Sequence, residues 1–145
     1  MFLPIGSNEP IPRRSFPIVT LMIVGVNVVV FMWELLIGAN GGDAALESFI
    51  QAYGAIPKEI LTGRDLAPAG PSPIYLTLLT SMFMHAGWLH IIGNMLYLLA
   101  FGDNVEDRMG HLSFAAFYLI TGLAAAFAQI AIDPASTIPS VGASG

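Results

Sequence analysis

Two polar side chains, His90 and Asn94, lie four residues apart within an otherwise apolar stretch. On a helix, residues at i and i+4 project from nearly one face, so both side chains can point at the same group. Two hydrogen-bond donors arranged in this way would suit a developing oxyanion. Polar residues in membrane helices also serve as packing contacts between helices. Taken alone, the pair favours this second interpretation.

A second candidate is the sequence Gly142-Ala143-Ser144-Gly145. Small residues around a serine let a backbone approach closely and leave the hydroxyl uncovered. If a helix begins here, Ser144 lies near its positive end among backbone N–H groups that have no helical partner. Those groups could form the other half of an oxyanion hole. By itself the motif is weak, because small-residue turns between helices are common.

The remaining histidines do not complete a metal site. His85 is five residues before His90 and so lies off the face that His90 shares with Asn94, which indicates a structural role. His111 opens the third apolar stretch, on the other side of the membrane. No carboxylate or thiol stands at ligand spacing, and the chain has no cysteine. We predict neither a metal nor a cofactor.

The composition predicts a membrane protein. Of 145 residues, 55% are hydrophobic and 10% charged, whereas soluble domains carry about 25% charged residues. A membrane span needs about 20 apolar residues, and three stretches qualify: 18–37, 74–101 and 112–132. The first exceeds a signal-peptide core and has no cleavage site, which favours a retained helix.

The net charge of −5 without a basic run excludes nucleic acid as a partner. The expected fold class is an all-α, multi-pass transmembrane bundle.

The connection 38–73 is too polar and too rich in glycine and proline to span. Within it, four residues recur at helical spacing, followed by Gly54 as a C-cap: Leu46, Phe49, Ile50 and Tyr53. This pattern predicts a short amphipathic helix in the membrane interface or against the bundle. An ordinary loop helix without a further role explains the pattern equally well.

The few cations predict the orientation. The cytoplasmic set would be Arg13, Arg14 and Arg108, and the external set Lys58 and Arg64. The positive-inside rule then makes 1–17 a cytoplasmic segment, 38–73 an external loop and 102–110 an internal loop.

Taken together, the motifs resemble the first half of a rhomboid protease in order and spacing. The matching positions are His85-x4-His90-x3-Asn94-Met95, Gly102 with Val105-Glu106, Arg108-x-Gly110 and Gly142-x-Ser144-Gly145. The resemblance runs from about Arg14 to the end of the chain. It implies a six-helix catalytic bundle, of which this chain would supply three helices and the start of the fourth. Such a bundle would cleave transmembrane protein substrates within the lipid bilayer, here the plasma membrane of a prokaryote.

The resemblance also implies roles for individual residues. Ser144 would be the nucleophile and, with Gly142 and Gly145, form the serine turn, while His90 and Asn94 would stabilise the oxyanion. His85, Glu106 and Arg108 would be structural, the last two linking the second and third helices on the inner side. The general base would be a histidine of the sixth helix, which is absent from these 145 residues. The 145-residue chain by itself is therefore expected to be inactive.

Two other functional classes stay open. The alternative function is a rhomboid-like pseudoprotease that binds transmembrane helices without cleaving them. The presence of Ser144, His90 and Asn94 argues against it, because a non-catalytic bundle needs none of them. The other is an unrelated three-helix membrane module in which the polar residues are packing contacts.

One departure from the family is the lack of a Trp-Arg pair in the long loop, which puts the docking of that loop in doubt.

Overall fold

A computed structural model describes residues 15–66 and 68–142. The helices are α1 (Ile18–Tyr53), α2 (Pro57–Thr62), α3 (Thr77–Thr80), α4 (Trp88–Met109) and α5 (His111–Ile132). Short 3₁₀ turns, Ile74–Leu76 and Ser81–Phe83, flank α3. In these ranges extended pairing is limited to one isolated bridge, between Ala55 and Ser140. The expected all-helical membrane fold class is confirmed.

Among the described residues, α1 and α5 are long and apolar enough to cross a membrane. The helical segments 74–83 and 88–109 pass the same test only as a pair, bent by 79° at the break between them. The third predicted stretch, 112–132, coincides with α5. The second, 74–101, differs from the structure, because the chain is extended at Met84 (φ −87°, ψ 152°) before α4 begins at Trp88. A continuous apolar run does not reveal such a break.

The end of α4 also differs from the expectation of an internal loop at 102–110. The helix continues through Met109 and stops at Gly110, whose φ of 81° favours glycine. Only this residue separates α4 from α5. Arg108 is exposed in the last turn of α4, where the helix dipole favours a cation.

The predicted helix in the long connection is present and follows the first span directly, after a kink at Gly42. It ends at Tyr53, and the N–H of Gly54 donates to the carbonyl of Ile50 (2.8 Å). Gly42, with φ 72° and ψ −175°, kinks α1 between the span and this extension. Positive φ is readily adopted only by glycine, so the kink is encoded locally.

One face of α1 forms the centre of the bundle. Its buried positions recur every three or four residues: Thr20, Ile23, Asn27, Phe31 and Glu34. Its main helical neighbour is α4. At Gly102 of α4, an added Cβ would lie 3.1 Å from the Thr20 methyl carbon, so the missing side chain permits this close approach. Many outward side chains are apolar and exposed, Val29, Leu89 and Leu112 among them, as expected for surfaces that face lipid.

Glu106 joins the three long helices at the end of the bundle where α1 begins. Its fully buried carboxylate accepts the N–H of Val19 (2.9 Å), the N–H of Thr20 (2.8 Å) and the Thr20 hydroxyl (2.7 Å). Its other contact is Nδ1 of His111, at the start of α5 (2.5 Å). The first N–H groups of a helix have no partner within the helix, and the positive helix end favours a carboxylate. Glu106 therefore caps α1 from within the last turn of α4.

The opposite end of the bundle is closed by main-chain bonds. Ala55 and Ser140 exchange two hydrogen bonds (3.1 and 2.9 Å), and the N–H of Lys58 donates to the carbonyl of Ser136 (3.1 Å). The segment that follows α5 is thereby attached to the start of α2. In α2 the buried Glu59 accepts the N–H of Leu66 (2.8 Å), which folds the loop back over the helix.

Replacing Glu106 with alanine should destabilise the bundle, because it leaves the partly buried N–H of Val19 and the buried N–H of Thr20 without an acceptor. We expect the free energy of unfolding in detergent to fall by about 3 kcal/mol. Glu47→Ala, an exposed acidic residue on α1, is the control and should change it by less than about 0.5 kcal/mol. Equal effects of the two substitutions would contradict the capping role.

Burial raises the pKa of Glu59 above that of an ordinary carboxyl, and the nearby Asp65 adds to the effect, while the bond from Leu66 opposes it. A carboxyl with a raised folded-state pKa binds more protons folded than unfolded, so stability falls as pH rises above the ordinary carboxyl value. Hydrogen exchange of the Leu66 amide, corrected for intrinsic rates, should therefore show greater protection at acidic than at neutral pH. Glu59→Gln keeps an acceptor for Leu66 and should abolish this dependence. A pH dependence that survives in Glu59→Gln would rule out this carboxyl as its source.

Candidate active site

His85 lies in the bend before α4, and its side chain is buried. Its Nδ1 is 3.3 Å from the carbonyl oxygen of Phe83, and its Nε2 is 3.1 Å from the amide nitrogen of Asn94. A carbonyl can only accept, so Nδ1 carries the proton and Nε2 accepts from the Asn94 amide. These contacts fit a neutral imidazole in one tautomer.

His90 and Asn94 lie on one face of α4, both partly buried. The ring of His90 meets that of His85 edge-on, with centroids 5.1 Å apart and planes at 65°. One amide hydrogen of Asn94 is directed to His85, which leaves its second hydrogen for another acceptor. His85, although off the His90 face in sequence, thus contacts both residues of the predicted pair.

Gly142, the first residue of the predicted serine motif, lies beside this cluster. Its N–H donates to the carbonyl of Ser81 (2.7 Å). An added Cβ would lie 2.7 Å from Cε1 and 2.8 Å from Nε2 of His90, and φ is 89°. The position requires glycine for two reasons. Its backbone angle is unfavourable for other residues, and a side chain would prevent the direct contact between main chain and imidazole. The predicted nucleophile Ser144 and its neighbour Gly145 lie outside the described residues.

The structure thus assembles four predicted site residues: His85, His90, Asn94 and Gly142. It separates Glu106 and Arg108 from them. Glu106 is twelve residues beyond Asn94 on α4, about 18 Å along the helix axis. No three potential metal-ligating side chains converge anywhere in 15–66 or 68–142.

A cleft of about 510 Å³ opens beside Asn94. Its walls are Asn27, Met82, His85, Gly93, Asn94, Met95, Tyr97, Leu98 and Tyr118. Asn27 donates to the carbonyl of Ile23 (2.7 Å), while its buried Oδ1 has no hydrogen-bond partner among the described residues. A few polar groups in apolar walls are typical of a binding site.

Three polar residues interrupt the apolar run 18–37: Thr20, Asn27 and Glu34. All three are buried on α1, and each faces a different level of the bundle. Thr20 contacts Glu106, Asn27 lines the cleft, and both oxygens of Glu34 are 3.3 Å from the N–H of His85. The signal was present in their spacing, because seven residues are nearly two helical turns and keep side chains on one face.

Comparison with known proteins identifies the family. The family model of the rhomboid domain matches residues 73–145, half of the chain. The Bacillus subtilis rhomboid protease GluP is 28% identical over 133 residues, covering 92% of this chain and 23% of GluP. The chloroplastic rhomboid-like protein 11 of Arabidopsis thaliana is 36% identical over 73 residues, covering 50% of this chain and 26% of the relative. No solved structure matches the chain.

The match to the rhomboid family model over half of the chain, together with helices long and apolar enough to span a membrane, defines the class. The chain belongs to the rhomboid family and is an integral membrane protein. It spans about a quarter of the length of the curated relatives that it matches.

Gly142→Ala should disturb the site, because the new methyl group would both overlap the His90 ring and occupy a backbone region that costs L-residues about 1–2 kcal/mol. We expect a changed imidazole signal for His90 in NMR spectra of histidine-labelled protein, together with a lower unfolding temperature. Gly25→Ala on α1, where a Cβ would meet nothing within 4 Å, serves as the control. An unchanged His90 signal in Gly142→Ala would contradict the contact.

Proposed function

We propose that the protein is an intramembrane serine endopeptidase that cleaves transmembrane protein substrates, with Ser144 as its nucleophile. The observation that carries the proposal is the contact between the main chain at Gly142 and the His90 ring. Ser144 follows Gly142 by two residues, a reach of at most roughly 7 Å. Gly142, the first residue of the motif, therefore lies against the His90 ring, on the face of α4 that also presents Asn94. The family match and the similarity to the GluP protease support the same function.

In this mechanism the Ser144 hydroxyl attacks the scissile carbonyl, and the carbonyl oxygen becomes an oxyanion. His90 and the second amide hydrogen of Asn94 donate to it, together with the backbone N–H of Ser144. Gly142 and Gly145 form the turn that exposes the hydroxyl. Donors that are fixed before the reaction stabilise the developing charge without reorganising, which is why they accelerate the step.

The serine also needs a general base to take its proton. Among the three histidines of the chain, His85 already uses Nε2 to accept from Asn94. His111 contacts Glu106 at the other end of the bundle, and His90 serves the oxyanion. We therefore assign the base, as the rhomboid resemblance implies, to a histidine outside these 145 residues.

The membrane placement is part of the proposal. The cations favour a cytoplasmic N-terminal segment, 1–17, and an external loop at 38–73. The site then opens toward the external face of a prokaryotic plasma membrane, where water for hydrolysis is available. The partners are the lipid bilayer and the transmembrane helices of substrates.

The test uses the full-length protein in detergent or liposomes, with a transmembrane reporter substrate and a fluorophosphonate probe. Ser144→Ala should abolish both cleavage and labelling. Asn94→Ala and His90→Ala should each lower kcat by about 10²–10³-fold, the usual loss for one oxyanion donor.

The control is Leu89→Ala, a lipid-exposed neighbour on α4, which should behave as the parent protein. Cleavage that persists in Ser144→Ala would exclude this nucleophile. A parent protein that binds the reporter helix but neither cleaves it nor takes the probe would instead be a rhomboid-like pseudoprotease.

A further inference from the structure

We propose that Glu34 is a positioning residue that fixes the orientation of Asn94 through His85. The inference deepens the proposed function, since the importance of Asn94 for catalysis rests on that function. Glu34 does not line the cleft, and its hydrogen bonds within the described residues are with the bend that precedes α4.

Glu34 is the only charged residue in the apolar run 18–37, and it is only 3% exposed. An ionisable group placed in a membrane helix is costly unless it has a specific partner. Here both carboxylate oxygens lie 3.3 Å from the N–H of His85, which is shared between them. The His85 N–H is the specific partner that offsets this cost.

The His85 N–H needs such a partner because of the bend. The chain is extended at Met84, so the N–H of His85 has no helical carbonyl to which it can donate a hydrogen bond. A buried backbone donor must be satisfied by some other group. Glu34 supplies that acceptor from α1 and thereby attaches the bend to the first helix.

The constraint continues from the His85 main chain to Asn94. The His85 ring is held at Nδ1 by the carbonyl of Phe83, two residues earlier in the same bend. The position of Nε2 is therefore set by the main chain that Glu34 holds. Nε2 in turn accepts from the Asn94 amide and decides where its second hydrogen points.

A second contact between α1 and the bend also fixes the position of the bend. Phe31, one turn before Glu34, is buried and packs edge-on against Trp88, with ring centroids 5.0 Å apart at 81°. Trp88 is the first residue of α4. The bend is thus held on one side by an apolar contact and on the other by a polar one.

The decisive comparison is between Glu34→Leu, which removes the acceptor, and Glu34→Gln, which keeps one. Assayed in the full-length protein, Glu34→Leu should lower kcat by about tenfold or more with little change in KM, as expected when a reacting group is misplaced. Glu34→Gln should stay within about threefold of the parent protein. Glu47→Leu, which removes an exposed acidic residue of α1, should have no effect.

A readout that does not depend on activity is the ¹⁵N spectrum of labelled histidine. The parent protein and Glu34→Gln should show His85 protonated at Nδ1, and Glu34→Leu should lose this signature. If the parent protein cleaves no substrate, the proposed function fails, and this spectrum alone decides the positioning role.

Unchanged kcat and unchanged His85 signals in Glu34→Leu would overturn the inference, as would equal losses of activity in Leu and Gln variants with His85 signals intact. If Glu34→Leu does not fold, Glu34→Asp replaces it, because the shorter carboxylate keeps the charge but not the reach. Loss of the His85 signature in Glu34→Asp but not in Glu34→Gln supports the role. Loss of the signature in Glu34→Gln but not in Glu34→Asp refutes it.

Discussion

In hydrocarbon, a polar group that lacks a partner in the protein destabilises the fold, and this constraint organises the bundle around α1. Its inner face carries three polar residues at intervals of seven: Thr20, Asn27 and Glu34. Thr20 and its neighbouring N–H groups are satisfied by Glu106 at the far end of α4, and Glu34 is satisfied by the bend that precedes α4. The first helix therefore fixes both ends of the helix that carries the candidate oxyanion donors.

Because α4 is held at both ends, the polar side chains at its first turns have fixed positions. Because the bend is fixed, the His85 ring can lie between the main chain of Phe83 and the Asn94 amide. The glycine-containing segment after α5 then reaches His90 without an intervening side chain. The candidate site is thus assembled by main-chain geometry around a few polar side chains, a form of preorganisation that suits charge stabilisation.

Much of this arrangement follows from the sequence. Apolar runs predicted the long helices, helical spacing predicted the shared face of His90 and Asn94, and Gly54 marked the end of α1. The break at 84–87 was not predictable from hydropathy, because 74–101 is apolar on both sides of it. The location of Glu106 inside α4 and the contact of Glu34 with His85 were also missed, since both depend on partners more than 50 residues away along the chain. Ser144 and Gly145 lie beyond the described residues, so their places in the site remain predictions.

The bridge between Ala55 and Ser140 has a mechanical consequence. It joins the loop that follows α1 to the strand-like segment that leads into Gly142, two residues farther on. A displacement of α2 would therefore be transmitted to the main chain beside His90. The loop that follows α1 and the main chain at Gly142 are thus mechanically coupled through two hydrogen bonds.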